Sequence, residues 1–502
     1  MKIRESNALR LGLAIAAALI GIAAKWLLTS GDLLPGIDGA YYWVQVRSVM
    51  TDFTLGFNDL PLVIWAQALI AWVVGDIPLG VRISDALLPA LSAIPIYFLL
   101  RKSKSVFVPA IAILVVLLHP IQLYFFTGDF LKNSAAIPVV FFICWILYNW
   151  ELAPRKRSIV YLLISLVTLG LAHFGTLLLG LMLVGIWLIV HLRNASKRFW
   201  IYSLSITAGS LLAVLAGLAI LVPSRFERLI SFVATPSTIF ANPAVDMLFS
   251  GHGDYPMMFS IITGQLGAIV LGFWVWRARK TLSDSQLSLV VACLVSAFML
   301  SSPLIGMEWA NRLVAMSFVP LLVAAMVLWM ALDNLSARIT ISMLAASTLI
   351  TTMVFSTMGL KQPIMSETQY KDLLLFSKEY KLPAGSIVVA RHGLEFLVAW
   401  EMHTDVIQET SYADEDLSSY SSVYYLEEVG GMVGPGGAKP PSDSKPPAGM
   451  KPPVGFKPGE KPPTGFIPGG DGKGPMGGDM KKAEITGTEV YKNDSFTLKK
   501  VR

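Results

Sequence analysis

The sequence predicts a mostly α-helical, polytopic membrane protein that ends in a small α/β domain. Of its 502 residues, 54% are hydrophobic and 15% are charged, whereas a soluble domain has about 25% charged residues. The mean hydropathy is +0.61. Apolar runs of about 18 residues or more recur from Leu9 to Leu360, and a helix of that length crosses roughly 30 Å of hydrocarbon. A soluble protein would not need so many such runs.

The first apolar run follows a basic N-terminus. Lys2, Arg4 and Arg10 precede the apolar stretch 11–28. This stretch is too long for the core of a cleaved signal peptide, and no cleavage site of small residues follows it. We expect it to remain as the first span, with its basic end in the cytoplasm.

The basic loops set the orientation of the other spans, because cytoplasmic loops are enriched in Lys and Arg. The clusters are 101–104, 155–157, 193–198, 277–280 and Arg338. With all of them inside, the sequence predicts about eleven transmembrane helices at 9–28, 82–100, 106–126, 131–150, 158–173, 176–193, 199–222, 257–276, 286–304, 311–332 and 339–359. The N-terminus is then cytoplasmic and the C-terminal domain extracytoplasmic.

The apolar stretch Leu60–Gly75 does not fit as a further span. Counting it would place the basic cluster 101–104 outside, and prolines at 61 and 78 flank it. We expect an interfacial helix on the outer surface of the membrane.

Composition divides the chain into four parts. Residues 1–360 form the transmembrane domain, and residues 361–428 alternate helix-like and strand-like patterns as a small α/β extracytoplasmic domain. Residues 429–480 are rich in Pro, Gly and Lys, repeat Lys-Pro-Pro-x-Gly, and are expected to be a disordered insertion. Residues 481–502 alternate like a hairpin, which predicts that they complete the α/β domain.

Charge and cysteine content exclude other classes. The net charge of +6 comes from short loops and the tail, so no nucleic-acid partner is expected. Cys144 and Cys293 lie in apolar runs and imply no disulfide framework.

Ionisable residues in a membrane domain are costly and therefore mark candidate sites. On this topology seven of them share the outer level: Asp38, Asp129, His173, His252, Asp254, Glu308 and Arg312. Structural roles remain open for each. Asp38 also suits a turn and Asp129 a helix N-cap, while Arg312 can extend to the headgroups.

These residue types suit group transfer from a lipid phosphate. A carboxylate at the interface can act as a general base on an acceptor, or hold a divalent cation together with a second acid. An arginine at the same depth can bind a phosphate with two hydrogen bonds.

Two motifs carry a resemblance to a known family. Asp38-Gly-Ala-Tyr-Tyr lies shortly after the first span, and Asp59-Leu-Pro-Leu opens the interfacial helix. This arrangement resembles the GT-C superfamily of membrane glycosyltransferases, which includes protein O-mannosyltransferases and oligosaccharyltransferase catalytic subunits. The resemblance implies transfer of a sugar, with inversion, from a polyprenyl-phosphate-linked donor to a protein, lipid or polymer acceptor at the outer face.

The resemblance also assigns roles to residues. It implies Asp38 as the catalytic acid and Asp129 as a second acid, and these two would hold a divalent cation (Mg or Mn). Substrate contacts are expected from a further set: Tyr41, Tyr42, Lys132, His173, His252, Asp254, Glu308 and Arg312.

Two departures from the family pattern bear on the reaction. Asp129 lacks the paired acid of a full Asp-x-Asp motif, and the signature Trp-Trp-Asp-Tyr-Gly is absent. We therefore expect transfer of a single sugar. A secondary transporter, a surface or assembly protein and an inactive relative remain alternatives, although transporters keep their charges near the bilayer midplane on repeated halves.

Overall fold

The computed structural model describes residues 2–29, 31, 33–127, 130–152, 155–193, 255–306, 313–358, 363–413, 415–429 and 485–502, with scattered positions between 201 and 243. These residues form two compact units. The helical unit comprises residues up to Pro363 together with His392–His403, and the sheet unit comprises Ile364–Arg391 and the chain from Thr404 onward. The sequence assigned 392–403 to the C-terminal domain, whereas this segment packs with the helical unit.

The helices are numbered here in chain order through the described residues. They are α1 Lys2–Leu28, α2 Gly39–Asp52, α3 Pro61–Val74, α4 Ile77–Ala90, α5 Ala93–Leu100, α6 Val108–Leu117, α7 Pro120–Thr127, α8 Leu131–Tyr148, α9 Arg155–Ala172, α10 Phe174–His191, α11 Tyr255–Ala278, α12 Asp284–Leu300, α13 Phe318–Ala331, α14 Leu335–Met358, α15 Glu367–Glu379 and α16 Leu394–Met402.

The described helices confirm an integral membrane protein. Eight stretches among them are long and apolar enough to span a membrane. The predicted number of eleven is not confirmed. The span predicted at 199–222 falls largely on residues outside those described, and α12, at the predicted span 286–304, has 17 residues.

Two of these spans are each built from two helices. Pro120 ends α6, because proline has no N–H to donate to the preceding turn and disfavours helical geometry in the residue before it. His119 then starts α7, since its Nδ1 accepts a hydrogen bond of 3.2 Å from Ile121 N. The other divided span consists of α4, which ends at Ala90, and α5, which starts at Ala93.

The chain between the first two spans folds into two helices. Helix α2 was not predicted from the sequence, and it ends at Phe53 in the left-handed region, with φ 57°. Helix α3 confirms a helix within the stretch 60–75. It starts with Pro61, where a missing N–H costs nothing, and ends at Gly75, with φ 78°. Its orientation in the membrane remains a prediction.

Gly80 allows α4 to pack directly on α3. A Cβ at this position would lie 2.3 Å from the Cα of Ala71 and 2.7 Å from its N. We expect Gly80→Ala to destabilise the protein by about 1–3 kcal/mol because the two backbones must separate. The measurement is the thermal unfolding midpoint in detergent. Gly185→Ala is the matched control, since nothing lies within 4 Å of a Cβ there. Equal midpoints for the two variants would contradict the close contact.

Buried polar contacts link five helices of this unit near the end that carries Asp38. Lys25 Nζ donates to Ser134 Oγ at 3.4 Å, and Ser134 Oγ donates to Gln122 Oε1 at 2.6 Å. Gln67 Nε2 donates to Asp85 Oδ1 at 2.9 Å. Hydrogen bonds of this kind fix helix pairs in membranes, where apolar burial does not distinguish protein from lipid.

The sheet unit confirms the predicted small C-terminal sheet. Its strands are β1 Ser386–Ala390, β2 Asp405–Gln408, β3 Ser422–Glu428, β4 Thr488–Lys492 and β5 Phe496–Lys500. The strand order is β2-β1-β3-β5-β4; β1 runs parallel to β2 and β3, and β5 runs antiparallel to β3 and β4. The hairpin of β4 and β5 therefore joins the sheet through β3. Strand β2 was not predicted, because its sequence Asp-Val-Ile-Gln is short and flanked by polar residues.

Candidate functional site

Asp38 occupies the N-cap position of α2 without capping it. Its side chain makes no hydrogen bond to the first turn of the helix, so the carboxylate has no capping role there. Directly after it, Gly39 is required by packing, since a Cβ would lie 2.7 Å from the Cβ of Leu34. The sequence thus places a carboxylate at a helix start and leaves it available for chemistry.

Charged groups from three other segments surround Asp38. Burial is the largest influence and raises the pKa of Asp38 above 3.8. The neighbouring charges oppose one another: His392 and Lys132 lower this pKa, whereas Glu395 and Asp59 raise it. The structure therefore brings Asp38 together with two bases and two further acids, and burial leaves its carboxyl a better proton acceptor than an ordinary aspartate.

Asp59 is the buried centre of this cluster. It is 4% exposed, pairs with Lys132, and accepts a hydrogen bond from the hydroxyl of Tyr41. Its other oxygen accepts from Leu60 N at 2.7 Å. A buried carboxylate is tolerated only when paired and hydrogen-bonded, and these contacts meet that condition. They also hold Lys132 and Tyr41 in one arrangement beside Asp38.

Gln45 fixes the loop that carries Asp59. Its Nε2 donates to the carbonyl of Phe57 at 2.9 Å, and its Oε1 accepts from Phe57 N at 3.0 Å. Phe57 in turn packs on Tyr41 and on Phe396, with ring centroids 5.7 and 5.4 Å apart. The loop is therefore held by hydrogen bonds from the Gln45 side chain to its backbone and by aromatic packing.

The short helix α16 supplies a histidine–carboxylate pair. His392 Nδ1 lies 3.0 Å from Glu395 Oε1. Because an ionised carboxylate only accepts, Nδ1 is the donor of this hydrogen bond when Glu395 is ionised. The side chain of Glu395 is 5% exposed and that of His392 is 51% exposed. Within the described part of the chain, Glu395 Oε2 has no hydrogen-bond partner. A buried carboxylate thus orients a half-exposed imidazole near Asp38.

Arg47 holds α16 against α2. Its guanidinium donates to the carbonyl of Ala399 at 2.7 Å and to that of Trp400 at 2.9 Å. It also lies over the Trp400 ring, 5.1 Å from the centroid. The last carbonyls of a helix lack partners within the helix and carry partial negative charge, so an arginine is well suited to this position.

We expect Arg47→Lys to loosen α16 although the charge is kept. Lysine cannot reproduce the planar fork that reaches two carbonyls while stacking on an indole. The predicted loss is about 2–3 kcal/mol from charge-assisted hydrogen bonds. Hydrogen exchange of the amides in 394–402 measures it. Arg193→Lys, on an exposed arginine, serves as the control. Unchanged protection of α16 in Arg47→Lys would refute the anchoring role.

The residues predicted from the sequence divide into three groups. Asp38, Tyr41, Tyr42 and Lys132 lie together: Lys132 Nζ is 5.9 Å from the Tyr41 ring centroid, and Asp38 contributes to the raised pKa of buried Tyr42. His173 is the N-cap of α10, where its Nδ1 accepts from Thr176 N at 3.3 Å. The remaining predicted residues lie outside those described: Asp129, His252, Asp254, Glu308 and Arg312.

Three residues of the cluster were not predicted as site residues. Asp59 was noted only as the start of an interfacial helix, and His392 and Glu395 lie more than 350 positions from Asp38 in the sequence. The i, i+3 spacing of His392 and Glu395 at a helix start was the one available signal.

The divalent cation implied by the resemblance has no complete ligand set in the described part of the chain. There, no group of three or more His, Cys, Asp or Glu side chains is arranged to hold a metal ion. Asp129, the expected second ligand, is not among the described residues. A metal held by Asp38 and Asp129 stays a prediction.

Known proteins provide two comparisons. Residues 59–223 match the family model described as dolichyl-phosphate-mannose-protein mannosyltransferase. The crystal structure of ArnT from Cupriavidus metallidurans in the apo state is similar over 83% of this chain and 92% of that chain, with 14% sequence identity and a TM-score of 0.48. No curated protein sequence matches the chain. Over residues 59–223 the family match confirms the predicted resemblance to the GT-C superfamily of membrane glycosyltransferases.

Proposed function

We propose that this protein is a membrane glycosyltransferase that moves one sugar from a polyprenyl-phosphate-linked donor to an acceptor at the outer face of the membrane. The observation that carries the proposal is the environment of Asp38. Its buried carboxyl has a raised pKa and lies beside two paired bases, Lys132 with Asp59 and His392 with Glu395, shortly after the first span. The family match supports the reaction class.

In the proposed reaction, Asp38 acts as the general base. Its carboxylate accepts the proton of an acceptor hydroxyl or amine while the acceptor atom attacks the anomeric carbon of the sugar. The bond between that carbon and the phosphate oxygen breaks, and the electron pair leaves with the phosphate. Attack opposite the leaving group inverts the anomeric centre. A positioned base of suitable pKa contributes about 10²–10⁴-fold to such a step.

Two basic side chains close to Asp38, Lys132 and His392, suit the leaving phosphate, the histidine when it is protonated. Lys132 is held by Asp59, so its ammonium group has a fixed position. The imidazole of His392 is fixed by Glu395 and half exposed. Preorganised positive charge at the point where negative charge develops stabilises the transition state. Arg312 is proposed to bind the same phosphate, as the resemblance implies.

The direct test is a transfer assay with the purified, full-length protein. Polyprenyl-phosphate sugars with a radiolabelled sugar are offered with crude envelope fractions as acceptors, and nucleotide sugars carrying the same label are offered in parallel. We expect labelled product from the lipid-linked donors alone. Product from nucleotide sugars only would refute the donor class, and no product from either set in a folded protein would support the inactive relative.

We propose that Asp38 lies on the extracytoplasmic side, because the basic loops cluster at the other ends of the spans. Thr54→Cys and Ser105→Cys place exposed thiols in the loop after α2, which lies in the same connection between spans as Asp38, and in the loop before α6, and the native cysteines are buried. In intact cells a membrane-impermeant maleimide should label Cys at position 54 only. Labelling at 105 only would reverse the orientation.

A further inference from the structure

A cavity of about 400 Å³ lies between α5, α6, α13 and α14. The lining includes Leu100, Val115, Met326, Trp329, Ala345 and Leu349. Among the described lining residues, only Ser342 and Trp329 have side chains with polar atoms. The volume lies within the range of roughly 300–1,000 Å³ that is typical of small-molecule sites, and the lining selects an apolar occupant.

The cavity opens sideways at the outer surface of the helical unit. Ile111, Ser342 and Ala346 line it and are themselves exposed, Ile111 by 48%. The outer surface of a membrane-spanning helix faces lipid. A hydrocarbon chain can therefore enter the cavity from the bilayer.

The cavity and Asp38 lie at opposite ends of α1. Arg10, near the start of α1, donates a hydrogen bond to the carbonyl of Arg101, which directly follows the cavity residue Leu100. From Arg10 the helix rises roughly 27 Å to Leu28 at 1.5 Å per residue, and Asp38 follows beyond that end. The cavity is thus separate from the proposed transfer site.

Basic residues gather in the loop after α5 and at the start of α14, next to residues that line the cavity. Lys104 and Arg338 both pair with exposed Asp333, at 2.7 and 2.8 Å. Arg338 lies 5.8 Å from the ring centroid of Trp329, which lines the cavity. Arg101 and Lys102 are exposed in the same loop as Lys104. Among the described residues 101–104 and 333–338, four are basic and one is acidic, so the rim is net positive.

We propose that this cavity binds one acyl chain of an anionic phospholipid, whose headgroup phosphate contacts Lys104 and Arg338. The apolar lining, the lateral opening and the basic rim together fit this one class of occupant. A headgroup at the basic rim lies on the cytoplasmic side, where anionic lipids attract clustered Lys and Arg. The site does not rest on the proposed sugar transfer.

The test measures lipid binding to the purified full-length protein by native mass spectrometry. The probes are dioleoylphosphatidylglycerol and, as its neutral counterpart, dioleoylphosphatidylcholine. We expect the anionic lipid to bind at least tenfold more tightly. Ala345→Phe and Ala112→Phe fill the cavity from facing helices and should each weaken this binding tenfold or more. Met343→Phe, at a residue exposed by 67% on the same helix, should leave it unchanged.

The rim is tested by the double substitution Lys104→Gln and Arg338→Gln. It should reduce binding of the anionic lipid to the level of the neutral lipid, whereas Lys280→Gln, on an exposed lysine of another loop, should not. Equal affinity of the unaltered protein for both lipids overturns the headgroup contact. Unchanged binding in both cavity-filling variants overturns the acyl-chain site. Displacement of the bound lipid by one equivalent of a polyprenyl phosphate would assign the cavity to the donor and also overturn the proposal.

Discussion

Asp38→Asn is expected to lower the rate of sugar transfer by about 10²–10⁴-fold, the contribution of a positioned general base. Asparagine keeps the size of the side chain but cannot accept the proton of the acceptor. The measurement is the initial rate of product formation from a lipid-linked donor, with unfolding midpoints recorded for both proteins. Asp52→Asn, at an exposed aspartate on the same helix, is the matched control and should keep the full rate.

The stability of Asp38→Asn gives a second readout. Burial raises the pKa of Asp38 in the folded protein, so the protonated form is favoured there relative to the unfolded chain. The carboxyl therefore stabilises the fold at low pH, and this contribution is lost as the pH rises through the raised pKa. At neutral pH, where Asp38 is ionised at a cost, the asparagine variant should have an equal or higher unfolding midpoint. A full transfer rate in this folded variant would refute the role of Asp38.

The same pKa predicts the acid side of the pH–rate profile. A general base acts only when it is ionised, so the rate must fall as the pH drops through the pKa of Asp38. Because burial raises this pKa above 3.8, the fall should begin at a higher pH than for an ordinary aspartate. A rate that stays constant down to pH 4 would contradict the assignment.

Asp59→Asn is expected to cost about 3–5 kcal/mol of stability, the usual effect of removing one partner of a buried ion pair. Lys132 would keep its charge with 19% of its side chain exposed and without its carboxylate. The hydroxyl of Tyr41 would also lose an ionised acceptor. The unfolding midpoint in detergent measures the change, and Asp52→Asn again provides the comparison.

A double-mutant cycle separates the ion pair from other effects of Asp59. If the cost comes from the unpaired charge of Lys132, adding Lys132→Met to Asp59→Asn should recover part of the stability, since both charges are then gone. Additive losses in the double variant would show that Asp59 and Lys132 do not interact. Transfer should remain slow in the double variant, because the cation near the donor phosphate is removed.

The helices were predictable because a membrane span is a local property of the sequence. Length and hydropathy alone define such runs, and no partner segment is needed to recognise them. Helix α2 was missed because it has only 14 residues and polar positions such as Gln45 and Arg47 interrupt its apolar ones, so it contains no apolar run of spanning length. Strand β2 was missed because its four residues carry too short a pattern, and its strand geometry comes from pairing with β1.

The candidate site was predictable only in part. Asp38 was predicted because it lies in the first outer loop, in the motif Asp38-Gly-Ala-Tyr-Tyr that resembles the GT-C superfamily. Asp59, His392 and Glu395 acquire their meaning from burial and from contact with residues far away in the sequence. Hydropathy carries no information about which distant acid pairs with Lys132, or about which helix Arg47 anchors.

By itself the sequence determined that this is a membrane protein with many helices, a small C-terminal sheet and an acid at the end of its first span. Each of these follows from local chain chemistry: apolar length, alternation and charge. Only the tertiary structure decided that α16 packs with the membrane helices, that Asp59 fixes Lys132 and Tyr41, and that Glu395 orients His392 near Asp38. The physical reason is that burial and charge pairing depend on contacts between distant segments, and these exist only once the chain has folded.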